Sequence, residues 1–181
     1  MLTINVPIGQ EGWDENKQEF VDPEVRTLQL EHSLVSLSKW ESKWHKPFYS
    51  KKEQSSEELL DYIKCMTLTK NVDPDVYNHL TVENLKDVKD YIDNPMTATT
   101  FSKEEKGSIG REVVTSELIY YWMISSNIPF ECQKWHLNRL ITLIRVCSIK
   151  NNPPKKRSKR DIMSRNAAIN AARRKQMNTK G

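Results

Sequence analysis

REVVTSELIYYWMISSN, residues 111–127, is the stretch on which the fold of this chain turns. From Leu118 to Ile124 every residue is apolar or aromatic. A helix that is apolar nearly all round belongs in a core, so this one is expected to be the buried centre. Asn127, Ile128 and Pro129 end it. After the IPFE link comes CQKWHLNRLITLIRVCSIK, 132–150, with Leu137, Leu140, Ile141, Ile144 and Cys147 on one face and Leu143 and Val146 widening it. Two long apolar helices joined by a short link imply an antiparallel pair, 112–126 against 134–149.

Upstream of that pair, the middle of the chain is helical with marked starts. Ser55 with Glu58 fits a capping box before LLDYIKCM, and Thr81 can cap VENLKDVKDYI, which ends at Asn94–Pro95. DPDVYNHL is a turn or a single helical turn. Ser102 with Glu105 is a further capping candidate. Leu34, Leu37, Trp40, Glu41 and Trp44 follow helical spacing until Pro47. The start alternates instead: LTINV, EFV and VRTLQLE predict two or three short strands in a small antiparallel meander. The fold class is therefore mainly α, with an N-terminal meander on a helical body.

Downstream, Pro153–Pro154 break the chain, and Ser158 with Asp161 can start a last helix, roughly to Gln176. Charge divides at the same place. Residues 1–151 hold 18 Lys and Arg against 23 Asp and Glu, net −5, while 152–181 hold 10 against one, net +9. The expected organisation is a domain over 1–152 and a basic, partly helical or disordered tail over 153–181. With 181 residues at 37% hydrophobic, one domain-sized core is available. No apolar run nears the ~18 residues of a membrane span. The N-terminus lacks a basic segment followed by an apolar one, so no secretory signal is expected. Three scattered cysteines form no disulfide framework, which favours a reducing cytosol.

Catalytic and metal chemistry find little to stand on. Cys132 and His136, at i and i+4, share one face of the 132–150 helix, but Cys147 lies roughly 16 Å further along it, too far for zinc. Asp73-x-Asp75-x-Tyr77 opens like a calcium loop yet lacks the glycine and the closing glutamate. Glu41 and His45 share a face without a third member. Lys106, Gly107, Gly110 and Arg111 form a GxxG loop that can hold a phosphate at a helix start, against the plainer reading of an ordinary turn. No nucleophile elbow, phosphate loop or HExxH occurs. Neither enzyme activity, cofactor nor metal is expected.

Binding is the remaining class. Leu37, Trp40 and Trp44 share their helix with Lys39, Glu41 and Lys43, so they are candidate anchors for a partner, against the plainer reading that they are core. Lys155, Lys156, Arg157, Arg160, Arg173 and Arg174 are the candidate contacts of the tail. At 100° per residue the arginines spread around the helix rather than forming a stripe, and the apolar line is too narrow for a membrane surface. No Trp, Tyr or Phe follows Trp135, so base stacking is missing and only salt-sensitive phosphate contact remains.

Two strings carry a resemblance: LEHSLVSLSKWESKW (30–44) and IPFECQKWHLNRLITLIRVCSIKNNPPKKRSKRDIMSRNAAINAARR (128–174). With YIKCMTLTKNVDP and YIDNPMTATTF between them, nearly the whole chain resembles the tail assembly chaperones of long-tailed bacteriophages. The resemblance implies a non-enzymatic protein of the host cytoplasm, absent from the mature virion. It would coat the helical tape-measure protein and help the tail-tube protein polymerise around it. Self-association is a further possibility, since acidic body and basic tail attract. Members are often made in two lengths by ribosomal frameshifting, and Pro153–Pro154–Lys155–Lys156 can be encoded by a slippery C CCA AAA run. The alternatives are a virion neck or connector protein, and a nucleic-acid-binding protein acting through its tail.

Overall fold

The computed structural model describes residues 1–9, 12–14, 19–21, 23–49, 54–101, 113–151 and 159–178. The Ser102–Glu105 cap, the loop at 106–111, and Lys155, Lys156, Arg157 and Ser158 lie outside them. The protein is mainly helical with small antiparallel sheets. The chain divides into two units, 1–148 and 149–181.

Strands β1 (Leu2–Ile8) and β4 (Glu24–Leu30) pair directly, with Ile4 opposite Leu28 and Val6 opposite Arg26. Between them, β2 (Gly12–Asp14) pairs with β3 (Glu19–Val21). The result is one hairpin nested in another, which corrects the expected meander. The cause lies in the pattern. Both seven-residue strands place apolar residues at even positions, so direct pairing puts Ile4, Val6, Leu28 and Leu30 on one buried face. A three-residue strand has no comparable face to offer.

Helix α1 (Leu34–Trp44) lies at the middle of the fold. Ser33 caps it, exchanging hydrogen bonds with Ser36 in a capping box. Its end is set by His45, which turns left-handed at φ 51° and donates its amide to the Glu41 carbonyl. Leu34, Leu37 and Trp40 are fully buried among the sheet face, Tyr62, Ile63 and Met66 of α2 (Ser56–Met66), and Ile119 and Met123 of α4 (Ser116–Ser125). The Ser55–Glu58 box of α2 forms as expected, and so does the Thr81 cap of α3 (Val82–Asp93), where Asn84 closes the box. DPDVYNHL becomes a 3-10 helix, Pro74–His79.

The expected central pair is not what organises the core. α4 packs chiefly on α1, as α2 does. The 132–150 stretch is not one helix either. A 3-10 helix over Phe130–Lys134 ends at Trp135, and α5 begins at Leu137 and runs to Asn151. The break has a tertiary cause. The Leu137 amide donates to the His32 carbonyl at 2.7 Å, while Ser33 and His136 form a bridge. An amide committed to the β4–α1 corner cannot continue a helix from Cys132. Cys132 and His136 therefore do not share a helix face. Leu137, Leu140 and Ile144 are buried, whereas Ile141, Leu143 and Cys147 are only partly so.

In the second unit, α6 spans Lys159–Met177, close to the helix expected there, and its described side chains are exposed. No described helix is long and apolar enough to cross a membrane.

Candidate partner-binding surfaces

The proposed anchors on α1 part company. Leu37 and Trp40 are 0% exposed, and the Trp40 indole donates to the Glu58 carbonyl at 2.9 Å. They are core residues and cannot line a surface groove, because their helix is covered by α2 on one side and α4 on another. Trp44 is half-buried and remains accessible. Its indole donates to Asp61 Oδ2 at 2.9 Å, and the Lys46 ammonium stands 5.4 Å from its ring centre. A shallow hollow of about 300 Å³ opens beside it, lined by Lys43, Trp44, Glu57, Leu60, Asp61 and Lys64. Burial works against the Asp61 carboxylate, but hydrogen bonds from Lys43 and Trp44 outweigh it and hold its pKa below the ordinary value. Lys46 pairs with Glu58 in the same way.

Glu41 is a buried clasp: Oε1 accepts from the Phe48 amide at 2.9 Å and Oε2 from the Ser116 amide at 2.7 Å. Ser116 is the first residue of α4, so a carboxylate sits at that helix's positive end and fixes it on α1. Thr115 supplies the side-chain cap.

The clasp turns one apolar face of α4 outward. Ser116, Ile119 and Met123 point into the core, while Tyr121 is 63% and Ile124 58% exposed. Three residues apart, these two are neighbours on the helix surface. Tyr120, one turn from Ile124, stacks its ring against Phe130 at 6.4 Å, and Phe130 is itself 54% exposed. The patch is held stiffly. The Tyr120 hydroxyl donates to Gln133 at 2.9 Å, Asn127 turns left-handed, and the Ile128 amide reaches back to the Met123 carbonyl. Trp122 is half-buried rather than core. The sequence signal was present, since LIYYWMI has no polar side to give to solvent. All-round apolarity predicts burial, but a two-sided apolar helix on a small body must expose one side.

A second cluster is titratable and internal. His32, fully buried, brings Nδ1 within 2.6 Å of the Tyr62 hydroxyl, and its ring lies 5.1 Å from that of His136. His136 Nε2 is 2.9 Å from the Tyr91 carbonyl, which can only accept, so Nε2 carries the hydrogen. Nδ1 is then a buried acceptor without a partner among the described residues. Burial, with His136 adding to it, pushes His32 down to about 3, and burial lowers His136 as well. Among the described residues no group of three His, Cys, Asp or Glu is placed to hold a metal. Asp73, the first residue of the calcium-like string, caps the 3-10 helix by accepting from the Asp75 amide.

On α6, Arg160, Arg173 and Arg174 are exposed and spread around the helix. No family model, curated protein or solved structure matches this chain.

Proposed function

We propose that the chain is a non-enzymatic assembly chaperone for a long bacteriophage tail, holding an amphipathic helix of the tape-measure protein on the outward face of α4. The observation that carries this reading is the apolar patch of Tyr121, Ile124 and Phe130, exposed beside the half-buried Tyr120. A tape-measure chain is expected to be a long amphipathic helix, which in isolation exposes an apolar stripe. Helix-in-groove capture uses anchors of this type, spaced at three and four residues. The family resemblance runs through α1, α2, α3, the Phe130–Lys134 turn, α5 and α6, and supports the same role. In this reading the tail-tube protein is the second partner. The place of action is the host cytoplasm, and the chaperone leaves before the virion matures. The basic α6 serves as an arm for protein contacts, with phosphate contact to nucleic acid as its alternative use.

The test is co-expression with a tape-measure protein, scoring how much of the latter stays soluble. The wild type is expected to retain it. A Tyr121→Ser/Ile124→Ser variant should fold normally and lose most of the effect. A folded double variant with full retention would remove α4 from the interface, and a wild type without effect would end the chaperone reading. Retention of the chain on nucleic acid at low salt, abolished by reversing Arg173 and Arg174, would favour the alternative.

A further inference from the structure

The β1–β4 sheet has two outer edges, and each is taken in part by other segments of the chain. On β1, the Asn84 side chain donates to the Asn5 carbonyl at 3.2 Å, and Pro7 has no amide hydrogen to present. On β4, the Leu68 amide donates to the Gln29 carbonyl at 2.8 Å. The Gln29 amide donates to Thr69 Oγ1 at 2.9 Å, and the Glu31 amide to the Met66 carbonyl at 2.9 Å. Backbone groups alternate between edges along a strand, so the direction of Gln29 fixes that of Thr27 and Val25. Both point to the same outer edge, and no described residue receives them. The segment that began to cover β4 leaves it near Asn71, which turns left-handed at φ 55°. A cleft of about 470 Å³ lies at the open part, lined by residues 24–28 and by residues 69–73, 75 and 76.

We propose that this open half of β4 joins two copies of the chain, pairing antiparallel about a two-fold axis at Val25. The stretch Glu24–Val25–Arg26 is its own complement. Val25 falls opposite the Val25 of the second copy, and each Glu24 faces the other's Arg26. Glu24 and Arg26 already form an ion pair within the strand at 2.8 Å, so the dimer closes four charges into an alternating square. Val25, 54% exposed, is covered by its twin. Val25 exchanges two backbone bonds with its copy, and each Thr27 amide donates to the opposite Pro23 carbonyl, about four bonds in all. Other registers fail. An axis at Arg26 sets two guanidinium groups opposite each other. An axis at Thr27 sets Val25 against Gln29, whose edge is taken. The shared stretch is short, so the dimer is weak and dependent on concentration.

Sedimentation of the full chain from micromolar to millimolar concentration tests this, with Glu24→Arg, Arg26→Glu, the double reversal and Val25→Pro. The wild type is expected to dimerise as concentration rises. Either single reversal sets like charges opposite each other twice and should weaken the dimer roughly tenfold. The double reversal restores the alternation and should restore the dimer. Val25→Pro removes the central amide, which faces outward and serves no bond inside the sheet, so a folded monomer is expected. A wild type that stays monomeric at millimolar concentration overturns the proposal. Single reversals that dimerise like the wild type overturn it equally.

Discussion

Lowering the pH from 7 to 5 should destabilise this protein through its buried imidazoles. Between about 6.5 and about 3 the unfolded chain binds a proton at His32 while the folded chain does not. Stability therefore falls as pH falls through this window, and the full penalty is reached near the folded value. At pH 5 the unfolded imidazole is favoured by about 1.5 pH units of proton binding, or about 2 kcal/mol from His32 alone. His136 is shifted in the same direction and adds to it. The lowered carboxylates Glu58, Asp61, Asp75 and Glu117 have the opposite pattern. Their contribution is present above their unfolded pKa values, near 4, and is lost only as pH falls below that range. The interval from pH 7 to 5 thus isolates the histidines. The assay is urea unfolding at both pH values for the wild type and for His32→Gln, which keeps a polar partner for Tyr62 but does not titrate. The wild type should lose about 2 kcal/mol more than the variant on acidification. Equal losses would mean that His32 is not held neutral in the fold.

Three further outcomes are expected. Glu41→Ala leaves the Phe48 and Ser116 amides without their acceptor, so it should lower stability by about 2–5 kcal/mol in chemical denaturation. Leu140→Asp places a charge at a fully buried site and should prevent cooperative unfolding, while Ile141→Asp, at a half-buried site, should fold and melt lower; similar behaviour of the two would misplace the inner face of α5. A chain ending at Asn152 should keep the melting transition of the full protein, because the described residues of α6 bury no side chain; loss of folded material would contradict that.

Local signals in the sequence located most of the elements. Ser55, Thr81 and the run from Leu34 to Trp44 gave helix limits close to those observed, because caps and apolar spacing act within one or two turns. Pairing was less legible. Nothing near LTINV says that it skips EFV, since that choice is made by matching faces on strands twenty residues apart. The break at Trp135 was invisible because its cause, the His32 carbonyl, lies far away in the chain. Which apolar stripe ends up covered was illegible for a related reason. Trp40 and Tyr121 both stand on apolar stripes, and only the assembled neighbours decide which stripe is covered. Spacing alone also gave Glu41 no task, whereas the fold sets two amides around it.

The bond from Leu137 to His32 also dictates a schedule. His32 leaves the ribosome early, with its strand and the start of α1, but its carbonyl partner is encoded more than a hundred residues later. At about 5–20 residues per second, roughly 5–20 s pass before Leu137 is even synthesised. Until then the His32 corner lacks His136 and Leu137 alike, and Asn138 cannot reach the Ile92 and Asn94 carbonyls at the end of α3. The His32 carbonyl therefore stays without this donor until the start of α5 has been made.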